Sequence, residues 1–392
     1  MKTSFRSLTG AALFFSTAIA TASPIVLDTE QKAASALETT LFKADVPRSV
    51  TGHVDDVLFF ADFMLRKVNA ATTPAALLST PAGITIPCSL SGSFKARMPE
   101  VQPRVLRLRF TDCKTLILGP VEGTFNGVAA ITLPADTFRP ETLNAIRFGN
   151  ESSELTMHHI SVTPAQTDDS TEAFNIAVRG DISMAQFVGS GPDTSTFRIN
   201  GYNDQRRDVM TTPPAPSGFY GNKFAAEHLS VVRTLTFDGD VMAEDTLFPA
   251  GSVSVTQTQP GYGIFTDAYT FNDYHVNRVT DFGAAWSETL TVDGRITATL
   301  NPFAGGGCMN GLYAVKTRVP LSYSLDTTAT FQSGELVVNG AVARFYSATN
   351  TPPGLPVPVN GMLLNLRVRD VGTFNYDAEN WFAALSPVGQ CF

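Results

Sequence analysis

The chain has 392 residues, of which 43% are hydrophobic and only 16% are charged, and its formal net charge is -8 at pH 7. This length is enough for one large domain or two ordinary ones with an apolar core. The acidic balance argues against nucleic acid or anionic lipid as a partner, because both require a basic surface.

The first 22 residues are typical of a bacterial export signal. Lys2 and Arg6 precede a mostly apolar stretch, Leu8 to Ala20, and small residues follow it. Signal peptidase removes such a segment, so the mature chain is predicted to begin near Ser23 in a secreted or periplasmic compartment. A membrane anchor is the alternative, but the apolar stretch is short for a bilayer span.

Residues 23–75 are predicted to form a helical N-terminal segment with two short helices. Asp28 can cap the first helix while Gln31 reaches back to it, and the second helix is expected to begin at Thr51. Apolar residues recur at helical spacing in both helices: Ala33, Ala34, Leu37 and Leu41, then Val54, Val57, Leu58, Ala61, Leu65 and Val68. Four further residues widen the second stripe: Phe59, Phe60, Phe63 and Met64. A stripe this wide indicates a helix that is covered, for example by lying against a sheet.

Residues 76–392 are predicted to form an antiparallel β domain. From Ile84 onward the apolar period becomes two, so that Leu106, Leu108 and Phe110 share one face of a strand. The expected fold is mainly β: an antiparallel hairpin meander, forming a large twisted sheet, a sandwich or a barrel-like structure. The Pro-rich stretch at 211–218 is a possible sub-boundary within this domain.

A recurring pattern of an apolar residue, then Asn, Asp or Arg, then Gly favours tight reversals, because Gly adopts the left-handed backbone without a clash. The apolar register predicts three-residue loops that end at Gly180, Gly239 and Gly294. Asn339-Gly340 is instead predicted to be a two-residue turn. That turn places five apolar residues on one face: Leu336, Val338, Ala341, Ala343 and Phe345.

The four cysteines are expected to form disulfides in an exported protein. Cys88–Cys113 and Cys308–Cys391 are the favoured pairs, because each lies within one half of the chain, and the two other connectivities stay open. Their spacing is unlike that of a zinc site.

The stretch richest in aromatic residues is the candidate ligand site. It comprises Tyr262, Phe265, Tyr269, Phe271, Tyr274 and, further on, Trp286. Exposed aromatic faces on a sheet stack on sugars or apolar ligands. Burial of the same rings in a core is the alternative interpretation.

Other chemistry has weaker support. Four carboxylates near one turn could bind calcium, although solvated turn residues are favoured: Asp238, Asp240, Glu244 and Asp245. Carboxylates for glycoside hydrolysis would have to include residues such as Asp267, Asp273 or Glu288, and their spacing does not favour this. The adjacent His158 and His159 would face opposite sides of a strand. No metalloprotease, nucleophile-elbow or phosphate-loop motif occurs, so no catalytic residue, metal or cofactor is predicted.

Three short motifs follow one another early in the β domain: Cys88-Ser-Leu-Ser-Gly92, then Leu106–Phe110 with Cys113, then Gly123-Thr-Phe-Asn-Gly127 before Ile131-Thr-Leu133. This order of a Cys–Gly strand, an F-x-x-C strand end and an Asn-Gly hairpin resembles a group of uncharacterised exported β-rich proteins of Gram-negative bacteria. The resemblance covers only part of the chain and implies an exported compartment and a β architecture, with no activity attached. Many members carry a lipoprotein cysteine after the signal, which this sequence lacks.

We therefore expect an exported, non-enzymatic, envelope-associated β protein with a structural or ligand-binding role. Its expected partner is a cell-envelope component or a carbohydrate or apolar ligand. An outer-membrane β-barrel is one alternative, which the terminal Phe392 favours and Pro387 and Cys391 disfavour. A secreted hydrolase is another, and it would require a nucleophile–histidine contact or clustered carboxylates.

Overall fold

The structure is a computed structural model. It describes residues 22–41, 46–99, 104–118, 121–132, 145–148, 155–161, 172–187, 193–209, 219–259, 263–283, 286–300, 309–324, 331–358 and 361–378. The predicted signal segment up to residue 21 and the possible sub-boundary at 211–218 lie outside these ranges.

The described N-terminal segment contains three helices, α1 (Glu30–Leu41), α2 (Val46–Ala71) and α3 (Pro74–Leu78). At the start of α1 the Lys32 backbone N–H donates to Thr29 Oγ1 at 3.2 Å, while Asp28 binds the Lys32 ammonium at 2.6 Å. Thr29 therefore makes the capping contact that was predicted for Asp28. The predicted start of α2 at Thr51 is too late. The sequence analysis also missed α3, which Thr73 caps.

The described residues form seventeen strands. In chain order they are β1 (Ile84–Pro87), β2 (Ser91–Arg97), β3 (Val105–Leu118), β4 (Val121–Thr132), β5 (Ala145–Phe148), β6 (Leu155–Ser161), β7 (Glu172–Phe187), β8 (Asp193–Val209), β9 (Phe219–Asp238), β10 (Val241–Gln259), β11 (Gly263–Asp281), β12 (Ser287–Thr299), β13 (Gly311–Ser324), β14 (Phe331–Val338), β15 (Ala341–Ser347), β16 (Met362–Val368) and β17 (Gly372–Ala378).

Every strand pairing is antiparallel, and nearly every strand pairs with the next one in the chain. Near β4 the order branches, because β5 and β6 both lie between β4 and β7. The predicted mainly-β antiparallel meander is thus confirmed. Its register is also as expected in β3, where Leu106, Leu108 and Phe110 are buried and Arg107 and Arg109 are exposed.

All three predicted three-residue loops are wrong. Gly180 lies within β7 and Gly294 lies within β12. Each glycine lies opposite a β-bulge in a neighbouring strand, because Gly180 faces two residues of β8 and Gly294 faces two residues of β11. Gly239 does reverse the chain, but Asp238 pairs with Val241, so the loop has two residues. The Asn339-Gly340 turn is confirmed by the pairing of Val338 with Ala341. Gly294 in its strand and Gly239 in its turn both have a positive φ, which is why the pattern did not separate a strand glycine from a turn glycine.

The core lies on one face of the sheet, which we call the inner face, against the helices. α1 contacts β13, β14 and β16, and α3 contacts β2. Phe60 of α2 packs against Phe110 of β3 and Phe125 of β4, with ring centroids 6.1 and 5.8 Å apart. The helices therefore contact strands from both ends of the meander. One apolar cluster includes residues from all three helices and from these strands.

Residues 23–25 pair with β13 beside Leu312, beyond the end of β14. Leu312 N–H donates to the Ser23 carbonyl, and Ile25 N–H donates to the Leu312 carbonyl, both at 3.2 Å. The Asn339 amide group donates to the carbonyl oxygens of Ile25 and Leu312 at 3.1 and 2.9 Å. The turn residue Asn339 thus ties the N-terminal segment to the sheet.

The predicted disulfide between Cys88 and Cys113 is present, with the two Cα atoms 5.4 Å apart. It joins the residue after β1 to β3 across the short strand β2. The other predicted pair, Cys308–Cys391, lies outside the described residues.

Gly294 and Gly239 differ in how much space they leave for the methyl group of an alanine. Gly294 has φ +118°, and a Cβ there would clash with the Asp273 carbonyl and lie 2.7 Å from Tyr274 Cα. Gly239 has φ +59° with nothing within 4 Å of a built Cβ. We expect Gly294→Ala to lower the free energy of unfolding by about 3 kcal/mol or more, and Gly239→Ala by about 1 kcal/mol. Urea unfolding of the mature chain measures both. Equal losses would contradict the placement of Gly294 in β12 opposite the bulge of β11.

Candidate binding site

The inner face of β9–β12 changes in three layers along the strands. On β10 it runs from Phe248 through Glu244 to Met242, and the continuous register sets these opposite Tyr274, Arg278 and Thr280 of β11. Phe248 and Tyr274 are fully buried and belong to the core. The inner face is therefore apolar at Phe248 and charged at Glu244, and beyond Met242 it reaches the strand ends.

The middle layer, which we call the charge layer, is a row of alternating charges on four adjacent strands. Arg233 Nε of β9 lies 2.8 Å from Glu244 Oε1, and Arg278 Nε lies 3.2 Å from Glu288 Oε1 of β12. The four side chains are only 12–16% exposed. Glu244 also lies directly opposite Arg278, so every charge has an opposite charge on a neighbouring strand.

Ion pairs at this depth cost desolvation free energy, so they add little net stability, but loss of one partner is expensive. A one-residue slip of any of these strands would move its charge to the outer face and an outer residue inward. The charge layer consequently disfavours every register except the observed one.

The third layer consists of exposed aromatic residues at the strand ends, and we call it the platform: Phe237, Phe282 and Trp286. Their exposed fractions are 69%, 49% and 48%. Phe237 lies opposite Met242 on the inner face near the end of β9, Phe282 follows the last residue of β11, and Trp286 precedes the first residue of β12. Large apolar side chains exposed at neighbouring strand ends make this a candidate interaction surface.

Hydrogen bonds fix two parts of the platform, the backbone at Phe282 and the indole ring of Trp286. The Phe282 N–H donates to the Asp240 carbonyl at 2.9 Å, and the Gly283 N–H donates to Asp281 Oδ1 at 2.7 Å. The Trp286 indole N–H donates to the Phe282 carbonyl at 3.1 Å. Since its only polar atom is engaged with the backbone, the indole leaves an apolar face toward solvent.

Three carboxylates are close to the platform residues in sequence, and two of them approach Gly283 beside Phe282. Asp238 and Asp240 flank Gly239 in the β9–β10 turn, and Asp281 precedes Phe282. Asp240 Oδ2 and Asp281 Oδ1 both lie near Gly283, as a Cβ built there would be 3.8 and 2.9 Å from them. Among the described residues no three His, Cys, Asp or Glu side chains are grouped as metal ligands.

The carboxylates considered for calcium are separated by the strand geometry. Glu244 points to the inner face, where it pairs with Arg233. Asp245 lies on the outer face, where His275 Nε2 approaches its Oδ1 at 2.6 Å and the Asn277 amide donates to the same oxygen at 3.1 Å. Glu288, considered for glycoside hydrolysis, is held by Arg278.

Most of the aromatic residues singled out from the sequence have a packing role. Tyr269, Phe271 and Tyr274 are buried in the core, and burial raises the pKa of Tyr269 and of Tyr274, which keeps both phenols neutral. Phe265 is partly buried, and Tyr262 lies outside the described residues. Trp286 is the predicted residue that lies at an open surface.

The sequence analysis missed Phe237 and Phe282 as candidate ligand contacts. Each directly precedes or follows a strand-end aspartate, in Phe237-Asp238-Gly239 and Asp281-Phe282-Gly283. An aromatic residue beside an Asp–Gly turn was the available signal, because a strand end leaves its side chains uncovered.

Comparison with protein-family models, with curated protein sequences and with solved structures finds no match for this chain. In the part of the chain that the structure describes, no helix combines the length and the apolar character needed to cross a membrane.

The charge layer predicts strong coupling between Arg278 and Glu288. Arg278→Met alone should lower the free energy of unfolding by about 2–3 kcal/mol, because Glu288 then stays enclosed without that arginine. Adding Glu288→Leu should recover most of the loss. The exposed Arg369 supplies the control, and Arg369→Met should change nothing measurable. A double-mutant cycle by urea unfolding tests this, and additive losses would contradict the coupling.

A second prediction concerns Glu335 on the outer face of β14. Burial opposes its ionisation, but hydrogen bonds from Arg344 at 2.7 Å and Arg318 at 3.0 Å outweigh that effect and lower its pKa below the ordinary 4.5. A lowered folded-state pKa gives stability that is complete above pH 4.5 and is lost as the pH falls below it.

Glu335→Gln should therefore cost about 1 kcal/mol at pH 7, and the difference from the unmodified protein should shrink as the pH falls below about 4.5. Unfolding measured as a function of pH tests this, with Asp370→Asn in an exposed ion pair as the control. A difference that stays constant down to pH 3 would refute the role of the charged form.

Proposed function

We propose that the protein is an exported, non-enzymatic, envelope-associated β protein that binds its ligand through the platform. The observation that carries this proposal is the exposed set of Phe237, Phe282 and Trp286 at one end of β9–β12, in which hydrogen bonds fix the Phe282 backbone and the Trp286 indole. A ring that is already fixed, as the Trp286 indole is, loses little conformational entropy on binding, which favours affinity.

Export is supported by two independent features. The sequence has a predicted signal segment before Ser23, and the structure has a disulfide between Cys88 and Cys113. Disulfides persist in oxidising compartments outside the cytosol. The resemblance to exported β-rich proteins of Gram-negative bacteria points to the same compartment.

A binding role rather than catalysis is supported by how the charged groups near the platform are used. Glu244 and Glu288 are each held by an arginine, so both carboxylates complete the charge layer. The rings above them offer apolar surface and no reactive group. Stacking and hydrogen bonding are the chemistry that this arrangement supplies.

The test is co-sedimentation of the purified mature chain (residues 23–392) with an isolated Gram-negative envelope fraction. Trp286→Ala should reduce the bound fraction, with an apparent affinity lower by about tenfold or more, since a stacked indole at a binding surface is a typical hot spot. Ile264→Ala is the matched control, because Ile264 is 71% exposed but lies at the other end of β11. Equal binding by the two variants would contradict the proposal, provided both keep the unmodified thermal unfolding midpoint.

A further inference from the structure

We infer that the platform binds a neutral glycan chain, an inference that rests on the proposed function and specifies its ligand. Two features of the platform carry it: the spacing of the rings across adjacent strands, and the carboxylates of Asp240 and Asp281 that approach Gly283 beside Phe282.

The rings are spread over a surface. Phe237 is on β9 and Phe282 follows β11, with β10 between them, so their backbones lie two strand spacings apart, or about 10 Å. Trp286 lies at the beginning of the next strand, β12. A ligand that contacts all three rings must be extended and must present apolar faces repeatedly along its length. The C–H faces of successive sugar rings in an oligosaccharide meet this requirement.

The carboxylates supply the polar half of such a site. Asp238 and Asp240 are exposed, and Asp240 and Asp281 both approach Gly283 beside Phe282. Ionised carboxylates accept strong hydrogen bonds from hydroxyl groups. A ligand rich in hydroxyl groups between apolar faces therefore satisfies both parts of the surface at once.

The charge of this surface selects among glycans. The arginines closest along the strands, Arg233 and Arg278, are engaged in the charge layer with Glu244 and Glu288. The platform itself therefore carries the negative charge of its aspartates, and the whole chain has a net charge of -8. Polyanionic glycans and anionic lipid headgroups are repelled by such a surface, whereas a neutral glycan is not.

A cationic peptide is the competing ligand class that the same charge would attract. A cationic peptide would pair its ammonium or guanidinium groups with carboxylates that the protein does not already engage. Asp281 already accepts the Gly283 N–H, which orients it as one directional acceptor beside a ring. A dispersed set of acceptors beside rings matches hydroxyl groups better than a single compact cation.

Trp286 itself reports the binding. The chain has two tryptophans, Trp286 and Trp381, so Trp381→Phe leaves Trp286 as the single tryptophan. The mature Trp381→Phe protein is titrated with neutral hexasaccharides of glucose, N-acetylglucosamine, mannose and galactose. Polygalacturonate hexamer, an oligolysine and phosphatidylcholine vesicles are titrated in parallel.

We expect at least one neutral hexasaccharide to change the Trp286 emission saturably, with an affinity that is nearly independent of salt. Phe282→Ala and Asp240→Asn should each weaken that binding by about tenfold, as expected for loss of a stacking ring or a charge-assisted hydrogen bond. Ile264→Ala should leave it unchanged. The thermal unfolding midpoint of each variant checks that the fold is retained.

Three results would overturn the inference: no response to any neutral hexasaccharide, binding of oligolysine alone with a steep salt dependence, or binding of vesicles alone. If Trp286→Ala still abolishes envelope co-sedimentation in those cases, the proposed function stands and only the ligand class is wrong. If Trp286→Ala leaves envelope co-sedimentation unchanged, the proposed function fails as well.

Discussion

The fold depends on covering the inner face of a large antiparallel sheet. An isolated sheet with one apolar face cannot leave that face in water, and here the N-terminal helices supply the cover. Leu37 of α1 and Met64 and Leu65 of α2 are fully buried in the same cluster as the strands. The Tyr376 hydroxyl of β17 donates to Glu30 of α1 at 2.5 Å, so the last described strand is held by the first helix. Helices that precede the sheet in sequence thus bring its early and late strands to one core.

The same inner face also explains why a binding surface can exist at the end of β9–β12. Between the core and the platform lies the charge layer, whose four ion-paired side chains fill space without extending the apolar surface. Its opposite charges on neighbouring strands specify the pairing of β9 to β12, and that pairing determines where Phe237, Phe282 and Trp286 stand relative to one another. The platform geometry is therefore a consequence of register, which buried charges enforce at little gain in stability.

Local patterns in the sequence predicted the architecture well. The period of two placed Leu106, Leu108 and Phe110 on one face, and the Asn339-Gly340 turn set Val338 opposite Ala341. Gly180 and Gly294 were assigned to turns, but each lies in a strand opposite a bulge of its neighbour, and Gly294 has the positive φ that a turn glycine also has. The site was less predictable, because the burial of Tyr274 depends on Phe248 of another strand, and Arg278 meets Glu244 only through pairing. Contacts between residues that are distant in sequence produce no local periodicity from which they could be predicted.

The most direct test of the central claim is hydrogen exchange of the mature chain, resolved by segment. If α1 covers the inner face, its amides should exchange as slowly as those of β13, β14 and β16, because all of them open only with the core. In that case the exchange of α1 should follow global unfolding when urea is added. Amides of α1 that exchange within seconds while those strands stay protected would show that the helix is not part of the core, and would contradict this account.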